Sequence, residues 1–183
     1  MNMKFYKTEI PDVVIIKPNV FNDERGYFFE TFREKELNNF LGYNVNFCQD
    51  NESKSNFGVL RGLHYQVPPY AQSKLVRVIQ GKVLDVAVDI RRESLTFGKH
   101  VAVELSEENK SQLFIPKGFA HGFVVLSETA IFCYKVDSYY NKQSDRGIAY
   151  NDPNLKINWK IKNSDIKVSD KDSALPLLNT DNQ

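Results

Sequence analysis

A mainly β domain of the sandwich, jelly-roll or barrel kind, with a few short helices, is what the sequence predicts. Three observations lead there. Runs of strand length, rich in β-branched and aromatic residues, recur between residues 74 and 136 with turn signals between them; a single segment has convincing helical spacing; and 183 residues amount to one domain.

The first element is the apolar run Val13 to Ile16, ahead of Pro18. Asn22-Asp23-Glu24-Arg25-Gly26 reads as a turn, and Tyr27 to Phe32, aromatic and β-branched, as the next strand. Glu34 to Leu41 is the helix: Leu37, Phe40 and Leu41 recur at helical spacing, and Gly42 follows as a stop. Lys74 to Ile79 and Lys82 to Asp89 flank Gln80-Gly81, the pattern of a hairpin whose turn needs glycine. Val101 to Leu105, Gln112 to Ile115, Gly122 to Leu126 and Ala130 to Val136 complete the strands. From Asp152-Pro153 onward hydrophobicity thins, Trp159 is the last large anchor, and Asn179 to Gln183 reads as a polar, frayed end. Aromatic residues are 13% of the chain, and most are expected simply to fill the core.

Hydrophobic residues at 42% and charged residues at 26% exclude a disordered chain. A net charge of +1 provides no global basic field for nucleic acid or an anionic membrane, so an anionic ligand must meet a local cluster. The mean hydropathy of -0.44, with no apolar run near the ~20 residues that cross a bilayer, excludes a membrane span. The start, Met1-Asn2-Met3-Lys4, predicts no secretory signal, and Cys48 and Cys133 read as reduced core thiols. A cytoplasmic protein is expected.

Three histidines carry the chemical interest, and two lie beside glycine, in Gly62-Leu63-His64-Tyr65-Gln66 and Pro116-Lys117-Gly118-Phe119-Ala120-His121-Gly122. A jelly roll with such segments resembles the cupin superfamily (the double-stranded β-helix). Metal-binding cupins carry a second imidazole two residues after the first, where this chain has Gln66. Two histidines and a glutamine make a poor divalent site, so no metal and no other cofactor is expected. His100, beside Lys99, is expected to have no catalytic role. An imidazole in such a fold serves best as a general base, its tautomer fixed by a carboxylate. Asp172, Asp170, Asp89 and Asp85 are all candidates, and periodicity does not choose among them.

The resemblance extends further. Asp23 to Glu30, Gln49-Asp50-Asn51, Val59 to Gln66, Lys74 to Val78, Asp85 to Arg91, Thr96-Phe97-Gly98, Ile115 to Phe123, Tyr134-Lys135, Tyr139-Tyr140, Arg146-Gly147-Ile148, Asp152-Pro153 and Ser169 to Asp172 occur in order. Together they resemble the dTDP-4-dehydrorhamnose 3,5-epimerase family over nearly the whole chain.

That resemblance implies an isomerase inverting carbons 3 and 5 of dTDP-4-dehydro-6-deoxy-glucose, each beside the C4 ketone, in dTDP-L-rhamnose biosynthesis. It implies His64 as base, Asp172 as its orienting carboxylate, Tyr134 as proton donor and Lys74 at the enolate oxygen. His121 is implied to line the sugar pocket, Arg61 and Lys171 to meet the diphosphate, Gln49 and Asn51 the nucleotide, and Tyr140 to stack on thymine. Arg25 and Glu30 resemble residues donated across a homodimer interface. Asp145 stands where the family usually has Glu. One domain over 1–183 is implied, with N-terminal strands (1–50) serving the dimer, a jelly-roll core (about 51–140) and a C-terminal extension (141–183). Alternatives from the same residues are a single-carbon epimerase, a metal-dependent cupin enzyme and a noncatalytic nucleotide-sugar binding module.

Overall fold

The computed structural model describes residues 3–178, so the expectations for Met1-Asn2 and for Asn179 to Gln183 lie outside the described residues. In chain order the elements are β1 (Lys4–Lys7), β2 (Val14–Lys17), β3 (Phe21–Asp23), β4 (Gly26–Phe28), α1 (Glu34–Leu41), β5 (Gln49–Asn56), β6 (Leu60–Gln66), β7 (Lys74–Gln80) and β8 (Lys82–Asp89). There follow β9 (His100–Ser106), β10 (Gln112–Ile115), β11 (Phe119–Val125), β12 (Thr129–Val136), β13 (Asp145–Gly147), a short 3₁₀ turn and α2 (Asp170–Ser173).

Two sheets face each other. One has the order β1-β2-β10-β7-β12-β5, the other β13-β6-β11-β8-β9, and β3 and β4 form a separate hairpin. Every pairing between these strands is antiparallel. Val76, Val78, Val83, Leu105, Leu113, Phe123 and Phe132 are among the residues that fill the space between them. The outer face of the five-stranded sheet is covered by the chain around Leu155 and Trp159, and the outer face of the other by α1 through Leu37. This double cover explains why β8 and β11 read as nearly unbroken apolar runs: they are buried on both faces.

Four expectations are corrected. The segment Lys74 to Asp89 is no hairpin, because β7 and β8 belong to different sheets. Gly81 carries the chain across at φ +78°, and a Cβ there would lie 2.0 Å from the carbonyl oxygen of Thr129. The strand expected over Tyr27 to Phe32 ends at Phe28, in a hairpin with no sheet to extend. The thiols are not core groups. Cys48 precedes β5 and is exposed, while Cys133 takes the outward side of β12 beside Glu52; both are free. Nor do most aromatics fill the core: Phe114, Phe119, Phe123, Phe132 and Trp159 are buried, and no tyrosine is.

Candidate active site

The two histidine segments lie on adjacent strands. β6 pairs with β11 so that His64 is directly opposite His121, and the strands approach closely because both carry glycine there. A Cβ on Gly62 would sit 2.5 Å from Gly122 Cα. This pairing brings both histidines to the wall of one cavity.

Each ring has its own carboxylate. Asp172 Oδ1 accepts from His64 Nε2 at 2.7 Å, and its Oδ2 accepts the Gly62 amide at 3.3 Å. Of the four carboxylates left open by the sequence, Asp172 is therefore the partner of His64. It is held on α2, whose cap is Ser169: the serine Oγ accepts from the Asp172 amide at 3.1 Å. With Nε2–H committed to Asp172, the lone pair of His64 resides on Nδ1. The second carboxylate, Asp85, accepts from His121 Nε2 at 2.9 and 3.1 Å. Burial makes His121 harder to protonate, partly offset by Asp85, so its ring is neutral near pH 7. Asp89 instead binds Arg91, Ser94 and Thr96, and Asp170 is exposed.

The facing sheet supplies the remaining groups. Lys74, on β7, is buried, and its Nζ donates to the carbonyl of His64 at 3.4 Å. Burial draws its pKa down to about 8, against the opposing pull of Asp85 and Asp145. Tyr134, on β12, is half-buried, and burial pushes its phenol upward, so it stays protonated near neutrality. Arg61 donates through Nε to Ser55 at 3.1 Å.

One cavity of about 380 Å³ gathers His64, Lys74, His121, Tyr134 and Asp172 with Asn51, Arg61 and Lys171. Gln49 Nε2 donates to Asn51 Oδ1 at 2.6 Å, which ties it to the same group. At the rim, Asp145 Oδ2 accepts from Lys171 Nζ at 2.6 Å and from the Tyr140 hydroxyl at 3.2 Å. A larger cavity, about 660 Å³, lies against Tyr65 and Leu177 and contains none of the expected site residues. Arg25 and Glu30 are not brought to the cavity. Arg25 occupies the tip of the β3–β4 hairpin, bound to Asp23, and Glu30 lies beside Arg33.

Sequence reasoning missed Ser53, Phe123, Phe132 and Ser169, which line the same cavity. Ser169 had a signal, since Ser169-x-x-Asp172 has the spacing of a helix cap. No group of three or more histidine, cysteine, aspartate or glutamate side chains able to hold a metal comes together among the described residues.

Comparison with known proteins agrees with this geometry. The family profile described as dTDP-4-dehydrorhamnose 3,5-epimerase matches residues 7–180. The enzyme of that name from Shigella flexneri is 57% identical over 170 residues, covering 93% of each chain. The crystal structure of the Elizabethkingia anophelis NUHP1 enzyme superposes with a TM-score of 0.93 at 54% identity, covering 97% of both chains. The dTDP-6-deoxy-D-glucose-3,5-epimerase of Legionella pneumophila Philadelphia 1, solved in complex with dTDP-4-keto-L-rhamnose, superposes with a TM-score of 0.94 at 50% identity, covering 98% of this chain and 94% of that one. With two facing β-sheets of the cupin type and a matching profile over nearly its whole length, the chain belongs to the dTDP-4-dehydrorhamnose 3,5-epimerase family of isomerases.

Proposed function

We propose that this chain converts dTDP-4-dehydro-6-deoxy-glucose to dTDP-4-dehydro-L-rhamnose by removing and returning protons at C3 and C5 through an enolate. One observation carries this: a carboxylate-held imidazole, a buried ammonium and a phenol from the opposite sheet meet in one cavity. The C4 ketone acidifies the neighbouring C–H bonds. His64 Nδ1 takes the proton, and Asp172 stabilises the imidazolium that forms without itself accepting the proton. Negative charge then gathers on the C4 oxygen. Lys74 meets it with a fixed positive charge in a site of low dielectric, an interaction stronger with the enolate than with the ketone. Tyr134 delivers the proton from the other side, the change of face that epimerisation needs; the phenolate then regains a proton from solvent as the imidazolium releases one, which resets both groups for the second carbon. His121, as a neutral ring, lines the sugar.

The nucleotide end uses Arg61 and Lys171 on the diphosphate, Gln49 and Asn51 as polar contacts and Tyr140 as a stacking surface for thymine. Asp145 orients Lys171 and Tyr140 together. Arg25 and Glu30 act in a partner copy, in a homodimer. In support, the hairpin that carries Arg25 exposes Phe21, Tyr27 at 58% and Phe28 at 61% together, an apolar patch of the kind a partner covers. The N-terminal segment (1–50) thus serves the dimer, the core (about 51–140) the chemistry, and the C-terminal extension (141–183) supplies Asp145, Lys171 and Asp172. Two free cysteines fit a reducing, cytoplasmic compartment.

The test is turnover of dTDP-4-dehydro-6-deoxy-glucose in deuterium oxide. Deuterium at both C3 and C5 of an inverted product is the expected result. Label at one carbon alone makes the enzyme a single-carbon epimerase, and no label at either overturns the proposal.

A further inference from the structure

Asp85 is fully buried on β8, and among the described residues its one hydrogen-bonding partner is His121. Burial disfavours the charged form of His121, so the ring holds the carboxylate chiefly as a hydrogen-bond donor. On the facing sheet, Lys74 is the one buried lysine or arginine among the described residues, and it makes no direct ion pair. Burying a charged group without a compensating one is costly, which makes a buried carboxylate and a buried ammonium at one site informative. The strand register supports their proximity. His121 is paired with Ala87 on β8 and with His64 on β6, and Asp85 lies one same-face step along β8. His64 in turn offers the carbonyl that Lys74 binds.

We infer that Asp85 is the fixed counter-charge of Lys74, acting from behind His121 rather than through a direct ion pair, and that it keeps the ammonium charged while leaving its N–H groups for the substrate oxygen. This rests on the role proposed above for Lys74. A directly paired lysine would have to break its ion pair to meet the enolate; a counter-charge held one side chain away stabilises the ammonium and leaves it free to donate. In an interior of low dielectric such a charge still acts across that gap.

The other charged and titratable groups around Lys74 are committed elsewhere. Asp145, on β13, also favours the charged lysine, more weakly than Asp85, and accepts from Lys171 and Tyr140. Asp172, on α2, holds His64 of β6. Tyr134 of β12 is protonated near neutrality, and His121 of β11 is neutral there. Asp85 is thus the carboxylate whose removal should be felt first by Lys74.

The test uses the full chain labelled with ¹³Cε-lysine and followed by NMR as pH rises, the Lys74 resonance being identified by its loss in Lys74→Arg. The wild-type midpoint is expected near pH 8, below the other lysines. In Asp85→Asn, which keeps the side-chain shape and can still accept from His121, the midpoint should fall further by about one pH unit or more. An unchanged or higher midpoint overturns the inference. A second measurement needs no variant: in wild-type protein labelled at aspartate ¹³Cγ, the Asp85 signal should step at the pH where Lys74 loses its proton, and a flat signal there is equally fatal. Activity separates this inference from the reading beneath it. If the Lys74 midpoint falls in Asp85→Asn and the alkaline limb of the kcat profile falls with it, both stand; if the midpoint falls and the limb stays, the counter-charge is right and the catalytic role of Lys74 is wrong.

Discussion

His64 Nε2 and Asp172 Oδ1 meet at 2.7 Å across 108 residues of sequence, joining a central strand to a four-residue helix near the C-terminus. The bond leaves Nδ1 as the basic atom, so changing the acceptor should disturb chemistry more than binding. Asp172→Asn offers an amide that can hold the wrong tautomer. We expect kcat to fall by about 10²- to 10⁴-fold with KM changed little, as when orienting carboxylates are replaced elsewhere. A large rise in KM at unchanged kcat would place Asp172 in binding instead.

His64→Ala removes the proposed base. Turnover should fall by about 10²- to 10⁴-fold while dTDP binding, measured by calorimetry, persists. Normal epimerisation at saturating substrate would sink the assignment.

For Lys74, charge is the point. Lys74→Met should lower kcat by about 10²- to 10³-fold, more than it weakens binding, because the ammonium acts on developing charge. Exhaustive chelation should leave wild-type activity intact, and activity regained only with a divalent ion would contradict this. The stability effect depends on pH. Since burial lowers the Lys74 pKa to about 8 in the fold, the unfolded chain binds the proton more tightly, and the cost is present below pH 8 and relieved as pH rises toward the ordinary lysine range. Lys74→Met also strips Asp85 of its counter-charge, so the sign is read from the pH dependence: wild-type stability relative to that variant should rise from about pH 8 to about pH 10. Absence of that rise would contradict the lowered pKa of Lys74.

Arg25 sits 86% exposed at a hairpin tip, bound to Asp23 within its own chain. If it serves a partner copy, sedimentation should give a dimer, and Arg25→Ala should raise KM several-fold with kcat largely retained. A fully active monomer at assay concentration would rule that out.

Much of the sandwich is legible in the sequence, for an identifiable reason. α1 and β10 fall at their predicted bounds because each has apolar spacing closed by a turn signal. β5 is illegible by the same logic: Gln49 to Asn56 contains no apolar residue, since it is an edge strand with one face in solvent and the other, Asn51, Ser53 and Ser55, turned inward. Gly81 announces a turn but not its destination, because a glycine at positive φ serves a hairpin and a crossing between sheets alike. At the site, residue types point to an imidazole and a carboxylate; family resemblance alone separates Asp172 from Asp85, and in the structure each holds a histidine. Arg25 and Glu30 are as legible as the others in motif, yet the chain does not bring them to the cavity, because motif order carries no information about position in space.

The arrangement of base and acid on opposite sheets is tested most directly by Tyr134→Phe in deuterium oxide, with exchange and inversion read from the same sample by NMR. Solvent deuterium is expected still to enter beside the ketone, because His64 can remove and return protons on its own face, while inverted product falls by about 10²-fold or more. Exchange abolished as completely as in His64→Ala, or inversion at the wild-type rate, would contradict it.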